Sequence, residues 1–227
     1  MCSISFKGRH FRREMILQCV RWYLAYGLSY RDLEEIMEER GSSVDHSTIH
    51  RWVSHYSPLL LAEFRKRKRN PGTRWRMDET YLKVKGEWKY YYRAVDRDGE
   101  TVDFLLTSKR DKKSALRFLS KAIGNNGRPS LINIDKSGAN TAAIRQYNHD
   151  TGKRIKTRQC KYLNNVVEQD HRLVKRITKP MLGFKNFFSA QRTLAGIELI
   201  RMIRKCQMRK QAGVSKTPAQ LFYGLAD

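Results

Sequence analysis

The chain has 227 residues, with 46 Lys and Arg against 22 Asp and Glu, a formal net charge of +24 and a pI near 10.2. That length suits one or two domains with a packed core, and 40% hydrophobic with 11% aromatic residues exclude a chain disordered by composition. No run approaches the ~18 apolar residues of a membrane span and no signal-peptide pattern opens the chain, so a soluble intracellular protein with a polyanionic partner is expected.

Three helical patterns fill residues 12–57. Ile16, Val20, Tyr23 and Leu24 recur at helical spacing until Gly27. Ser29 caps a second helix over 30–40, and Asp32 three residues on completes a capping box with Asp in place of Glu. Gly41 supplies a left-handed turn, and a third helix follows over about 46–56 with Ile49, Trp52 and Val53 inward. Helix, glycine turn and helix is the pattern of a helix-turn-helix, and Ser47, Thr48, His50, Arg51 and Ser54 are its candidate DNA-binding residues. His46 and His50 lack the glutamate of H-E-x-x-H, which argues against zinc. The basic run Arg65 to Arg69, followed by Asn-Pro-Gly, reads as a phosphate-gripping linker.

From Trp75 the pattern turns to strands. Residues 77–84, 88–96 and 101–107 form a meander joined by Lys85-Gly86 and Asp98-Gly99. A helix over about 112–123, a short apolar strand at 130–134, a helix over 140–147, a strand near 154–158 and a helix from Asn165 complete the order β-β-β-α-β-α-β-α. The expected fold class is α/β: a ribonuclease H-like mixed sheet preceded by an all-α helix-turn-helix domain. The expected boundaries are 1–64 for the helix-turn-helix, 65–73 for the linker and 74–180 for the catalytic domain. Residues 181–227 are expected to pack as a helix and tail on the catalytic domain or a dimer interface. Cys2, Cys19, Cys160 and Cys206 form no C-x-x-C pair, so neither a zinc ribbon nor a redox motif is present.

Asp78 lies within the first strand, Asp135 ends the fourth, and Glu168 falls in the helix after the fifth. In this fold the first and fourth strands are adjacent, so the aspartates can meet, with the last helix bringing Glu168 across. Clustered carboxylates suit Mg²⁺, a hard cation with oxygen ligands, and a pair of such ions suits phosphoryl transfer. Glu79 points to the opposite face, Asp96 and Asp98 flank a turn, Asp103 suits a solvated strand face, and Asp170 lies off the face of Glu168. His171, Arg172 and Lys175 share that face at helical spacing; Arg172 and Lys175 are candidate DNA contacts beside the metal.

The stretches 7–11, 29–33, 44–53, 77–81, 92–96, 134–136, 161–171 and 182–185 resemble bacterial insertion-sequence DDE transposases of the insertion-sequence-six type (IS-twenty-six-like). The resemblance covers nearly the whole chain in the family's order. It implies that Asp78, Asp135 and Glu168 are the catalytic and metal-binding triad, and that Lys175 is the basic residue following the glutamate. It also implies two Mg²⁺ ions, with Mn²⁺ able to substitute, and cleavage and strand transfer at terminal inverted repeats. Replicative, cointegrate-forming transposition is implied, with the repeats and target DNA as partners. So are a homodimer or higher oligomer in the synaptic complex and a cytoplasmic, nucleoid-associated location. A DNA-binding regulator without an active site and a structure-selective nuclease are the competing readings.

Overall fold

The computed structural model describes residues 4–135, 138–160, 163, 165–181, 183–209 and 216–227. Cys2, Lys136, Lys161, Tyr162, Asn164 and Leu182, and residues 211–215 of the tail, lie outside the described residues. No described helix is long and apolar enough to cross a membrane. The chain divides into two compact units, one made of Met1–Arg69 with Val174–Asp227 and the other of Asn70–Leu173.

The first unit contains α1 (Arg13–Ala25), α2 (Tyr30–Glu39) and α3 (His46–Arg67). The capping box at Ser29 is present in full: its hydroxyl accepts from the Asp32 amide and the Asp32 carboxylate accepts from the Ser29 amide. Gly41 takes φ 71° in the turn after α2. The third helix continues well past the expected end at residue 56. Its inner residues Ile49, Trp52, Val53, Tyr56, Leu60, Leu61 and Phe64 keep helical spacing across Pro58. Tertiary packing of that stripe outweighs the hydrogen bond that proline removes.

That extension corrects the expected linker. Arg65, Lys66 and Arg67 form the last turn of α3, where cations favour the helix dipole. Lys68 is buried and bridges Met208. The Arg69 amide donates to the Gln207 carbonyl and the Arg209 amide to the Arg67 carbonyl. The basic run is thus part of the helical unit, and the division falls after Arg69.

The C-terminal helix is corrected too. α7 (Phe187–Arg204) packs on α1 and α3, and is buried almost all round from Ala190 to Ile203. A helix buried on nearly every side, Glu198 and Arg201 included, belongs inside a bundle, so α7 is part of the core of the first unit. α8 (Pro218–Tyr223), with its own capping box from Thr217 and Gln220, packs on α7.

The second unit is a five-stranded sheet in the order β3-β2-β1-β4-β5. β1 (Arg74–Val84), β2 (Glu87–Asp96) and β3 (Thr101–Thr107) pair antiparallel, while β4 (Leu131–Ile134) and β5 (Lys156–Gln159) run parallel to β1. Lys85 and Gly86 both take positive φ between β1 and β2, as a tight hairpin turn requires. α4 (Lys112–Asn126) and α5 (Gly138–Thr151) make the parallel crossovers. Trp75, Met77, Ile132 and Ile134 form a core with Phe118 and Leu119 of α4 and Ile144 of α5. α6 (Asn165–Thr178) follows β5, which completes the ribonuclease H-like order.

Gly196 marks the tightest packing in the first unit. A Cβ there would stand 2.5 Å from Cδ1 of Leu24 and 2.7 Å from Oγ of Ser57, both buried. Gly196→Ala should therefore cost about 1–3 kcal/mol through overpacking, although alanine is the better helix former. Gly124→Ala on α4, where nothing lies within 4 Å, should be neutral or stabilising. Thermal unfolding of both variants checks the contrast.

Candidate active site

Residues two apart on a strand share a face, and β1 places Asp78 opposite the face that carries Trp75 and Met77 into the core. The β1–β4 register pairs Arg76 with Asn133; carried two residues on, it sets Asp78 beside Asp135, just past the end of β4. Glu168 stands in the first turn of α6.

Asp135 and Glu168 both lie within electrostatic reach of Asp78. Burial is the main cause that pushes the Asp78 carboxyl up to about 7, with Glu79, Asp135 and Glu168 adding like-charge repulsion. Among the described residues the one set of three potential metal ligands with donor atoms within 4.8 Å of one another is Glu34, Asp45 and His46.

The other acids of this unit are held by structural partners. Glu79 points to the opposite side, where it pairs with Arg110 and accepts from the Asn140 amide at 2.9 Å. Asp96 accepts the backbone N–H groups of Gly72, Asp98 and Glu100 and so ties together the turn before β3. Asp103 was expected on a solvated face but is buried, because Lys121 and Asn125 of α4 reach it, both at 2.7 Å.

The inward stripe of α6 differs from the expected one. Val167, Asp170, His171 and Val174 are buried at helical spacing, while Glu168, Arg172 and Lys175 are exposed. His171 therefore leaves the solvated face it was expected to share with them. Its Nδ1 lies 3.9 Å from the Asp78 carboxylate. Asp170 pairs with Arg93 at 3.1 Å, both buried, and Arg93 is the direct strand partner of Asp78. Sequence reading missed Arg93 because an arginine amid Tyr-Tyr-Arg-Ala-Val carries no spacing signal. Asp170, two residues from Glu168, was the available clue.

The DNA-binding candidates of α3 separate into two groups. Ser47 and Arg51 are exposed, and Thr48 is half-buried and accepts a hydrogen bond from Arg51 at 2.8 Å. His50 and Ser54, expected to face outward, are half-buried. Nε2 of His50 lies 3.1 Å from Oγ of Ser189 on α7, its ring meets Tyr30 edge-on, and Ser54 sits beside it at 3.5 Å. The packing of α7 on α3 turns that side of the helix inward; burial also pulls the His50 pKa down. Glu34 of α2 clasps the start of α3, accepting the His46 amide and facing its Nδ1 at 3.0 Å.

Residues 72–207 match the model of a DDE domain, the family DDE_Tnp_IS240. Over 210 residues, 90% of this chain and 90% of theirs, the chain is 39% identical to two transposases of Staphylococcus aureus. These are the transposase for insertion sequence-like element IS431mec and that for insertion sequence element IS257 in transposon Tn4003. Among solved structures it is similar to the HTLV-2 integrase catalytic core domain in complex with magnesium. That likeness has a TM-score of 0.48 and 20% identity, over 69% of this chain and 99% of that one. Fold and family together define a polynucleotidyl transferase of the DDE class. The chain belongs to the IS6-type insertion-sequence transposases.

Asp170→Ala should cost about 3–5 kcal/mol by leaving Arg93 as an uncompensated buried charge, whereas the double change Arg93→Met with Asp170→Leu should cost much less. Denaturant unfolding of the two proteins decides between these outcomes. A second expectation concerns pH. Asp78 has a folded pKa of about 7 against 3.8 for the ordinary carboxyl. In metal-free protein its contribution is thus fully present below about pH 4 and is lost as pH rises toward 7. Between pH 5 and 7.5 the wild type should lose stability relative to Asp78→Asn, read from unfolding midpoints.

Proposed function

We propose that Asp78, Asp135 and Glu168 are the catalytic, metal-holding acids of this transposase. The carrying observation is their convergence: Asp78 on β1, Asp135 just past the end of adjacent β4 and Glu168 on α6, with Asp135 and Glu168 both close enough to act on the Asp78 carboxyl. An all-oxygen donor set, one member of which is driven toward protonation by burial and by neighbouring carboxylates, fits a divalent hard cation. When bound, two Mg²⁺ ions, or Mn²⁺ in their place, would supply charge neutralisation at the attacking and leaving oxygens of a phosphodiester.

The side chains of the protein then have separable tasks. The Arg93–Asp170 pair holds α6 to the sheet, so that Glu168 keeps its position toward Asp78. His171 restrains the Asp78 carboxylate from its other side. Arg172 and Lys175, exposed on α6, would take phosphates of the bound DNA. Ser47, Thr48 and Arg51, with exposed His55 one turn beyond, would contact the terminal inverted repeats; His50 and Ser54 would support that surface from behind. Water or a freed 3′-OH would attack the phosphodiester in line, without a covalent enzyme intermediate. Pairing of two element ends would take a homodimer or larger assembly. Replicative, cointegrate-forming transposition and a place on the nucleoid complete the proposal.

Asp135→Asn should retain binding to a duplex carrying the element end, yet lose nicking and strand transfer to background. Chelation by EDTA should have the same effect on the wild type. Joining that survives either treatment, scored on a denaturing gel, would count against the assignment.

A further inference from the structure

The catalytic unit carries a second, cationic feature on the same sheet face as the proposed acids. The register sets Arg74, Leu131 and Lys156 in one row across β1, β4 and β5, and Arg76, Asn133 and Arg158 in the next. The row after that begins with Asp78 and Asp135. Trp75, Ile132 and Ile155 lie in the core on the opposite face, and Gln159 of β5 donates to Thr141 of α5 on that side. The rows of cations therefore face away from α4 and α5.

Arg97, just past β2, joins Arg74, Arg76, Lys156 and Arg158 around a groove of about 540 Å³ that no acid lines. Arg76 is fixed there by donating to the carbonyls of Arg97 at 2.9 Å and Asp96 at 3.4 Å. The Asp96 carboxylate is buried, accepts backbone N–H groups and does not line the groove. β5 is the edge of the sheet and all four of its residues are exposed, which leaves the groove open along one side.

We propose that this groove holds the sugar-phosphate backbone of the DNA strand leading into the acids. This rests on the reading of Asp78 and Asp135 as the site of cleavage. Residues two apart on a strand are separated by about 6.6 Å, a step comparable to that between successive phosphates of one nucleic-acid strand. A scissile phosphate at the acid row would thus place its neighbours at the Arg76–Arg158 row and then at the Arg74–Lys156 row. Arginine guanidinium groups suit this task because they grip phosphate oxygens through two parallel hydrogen bonds. Five clustered cations repel one another until a polyanion is bound. The strand could belong to the element end or to the target, since both offer the same backbone.

The test uses full-length protein carrying Asp135→Asn, so that no DNA is cut, with and without Arg74→Gln, Lys156→Gln and Arg158→Gln together. Arg76 is left in place because it braces the hairpin. Affinities for an end duplex and for an unrelated duplex are measured over a range of salt concentrations. Each lost phosphate contact should make the log–log salt dependence shallower by about 0.9, so the triple change should remove roughly two to three from the slope. Loss on the end duplex alone assigns the groove to the element, and loss on both duplexes extends it to the target. An unchanged slope on both, with a normal unfolding midpoint, overturns the proposal. Should the triple variant fail to fold, Lys156→Gln and Arg158→Gln on the exposed edge strand should each lower the slope by about one. If strand transfer persists in Asp135→Asn alone, the assignment of the acids fails, and the salt slope still reports on the groove.

Discussion

The constraint on which the catalytic unit depends is the placing of two carboxylates on neighbouring parallel strands. Asp78 and Asp135 come together because the β1–β4 register leaves them side by side where β4 ends. Glu168 adds a third negative charge from α6. Such a cluster opposes folding through repulsion and loss of hydration, and the rest of the unit is arranged around it. Several of its other buried or half-buried acids have local partners: Glu79 pairs with Arg110, Asp103 with Lys121 and Asp170 with Arg93, while Asp96 accepts backbone amides. Asp78, with Asp135 and Glu168 acting on it, is the place to which a cation would be drawn.

The ion pair of Arg93 and Asp170 links that place to the fold. Arg93 is the antiparallel partner of Asp78, so its side chain emerges on the same face of the sheet. From there it meets Asp170, two residues beyond Glu168 on α6. One strand pair thus carries both a proposed catalytic acid and the cation that anchors the helix bearing another. A buried ion pair gives little net stability compared with apolar packing. Its benefit here is positional, since sliding or rotating α6 would separate the two buried charges.

Much of this was legible in the sequence where local pattern and tertiary fate agree. The meander of β1, β2 and β3 follows from alternation and from the Lys85-Gly86 and Asp98-Gly99 turns, and the Ser29 capping box from its spacing. The three acids stood out because each sits where an apolar strand or a helix would place it at the sheet. What was not legible depended on partners distant in sequence. α3 runs past Pro58 because residues 60–64 pack in the same bundle as α7. His50 and Ser54 looked outward on a helical wheel, but α7, more than a hundred residues later, lies on that side. His171 likewise seemed solvated until the sheet was seen to occupy its face of α6.

The distribution of cations shows why net charge alone does not locate a DNA surface. The run Arg65 to Arg69 is the densest in the chain, yet Lys68 is buried, and Arg67 and Arg69 donate to the carbonyls of Gly224 and Cys206. Their charge is engaged with the protein's own backbone. Arg74, Arg76, Lys156 and Arg158 are scattered over more than eighty positions and form no run, yet a parallel register gathers them on one face, around a groove whose described lining holds no acid. Attraction for a polyanion depends on the sum of charges over a surface, and a sheet builds such a sum by taking one cation from each alternate residue of separate strands. The same alternation places Asp78 next in line after Arg74 and Arg76, so one period-two pattern sets both the charge that would hold a strand and the acid that would cut it.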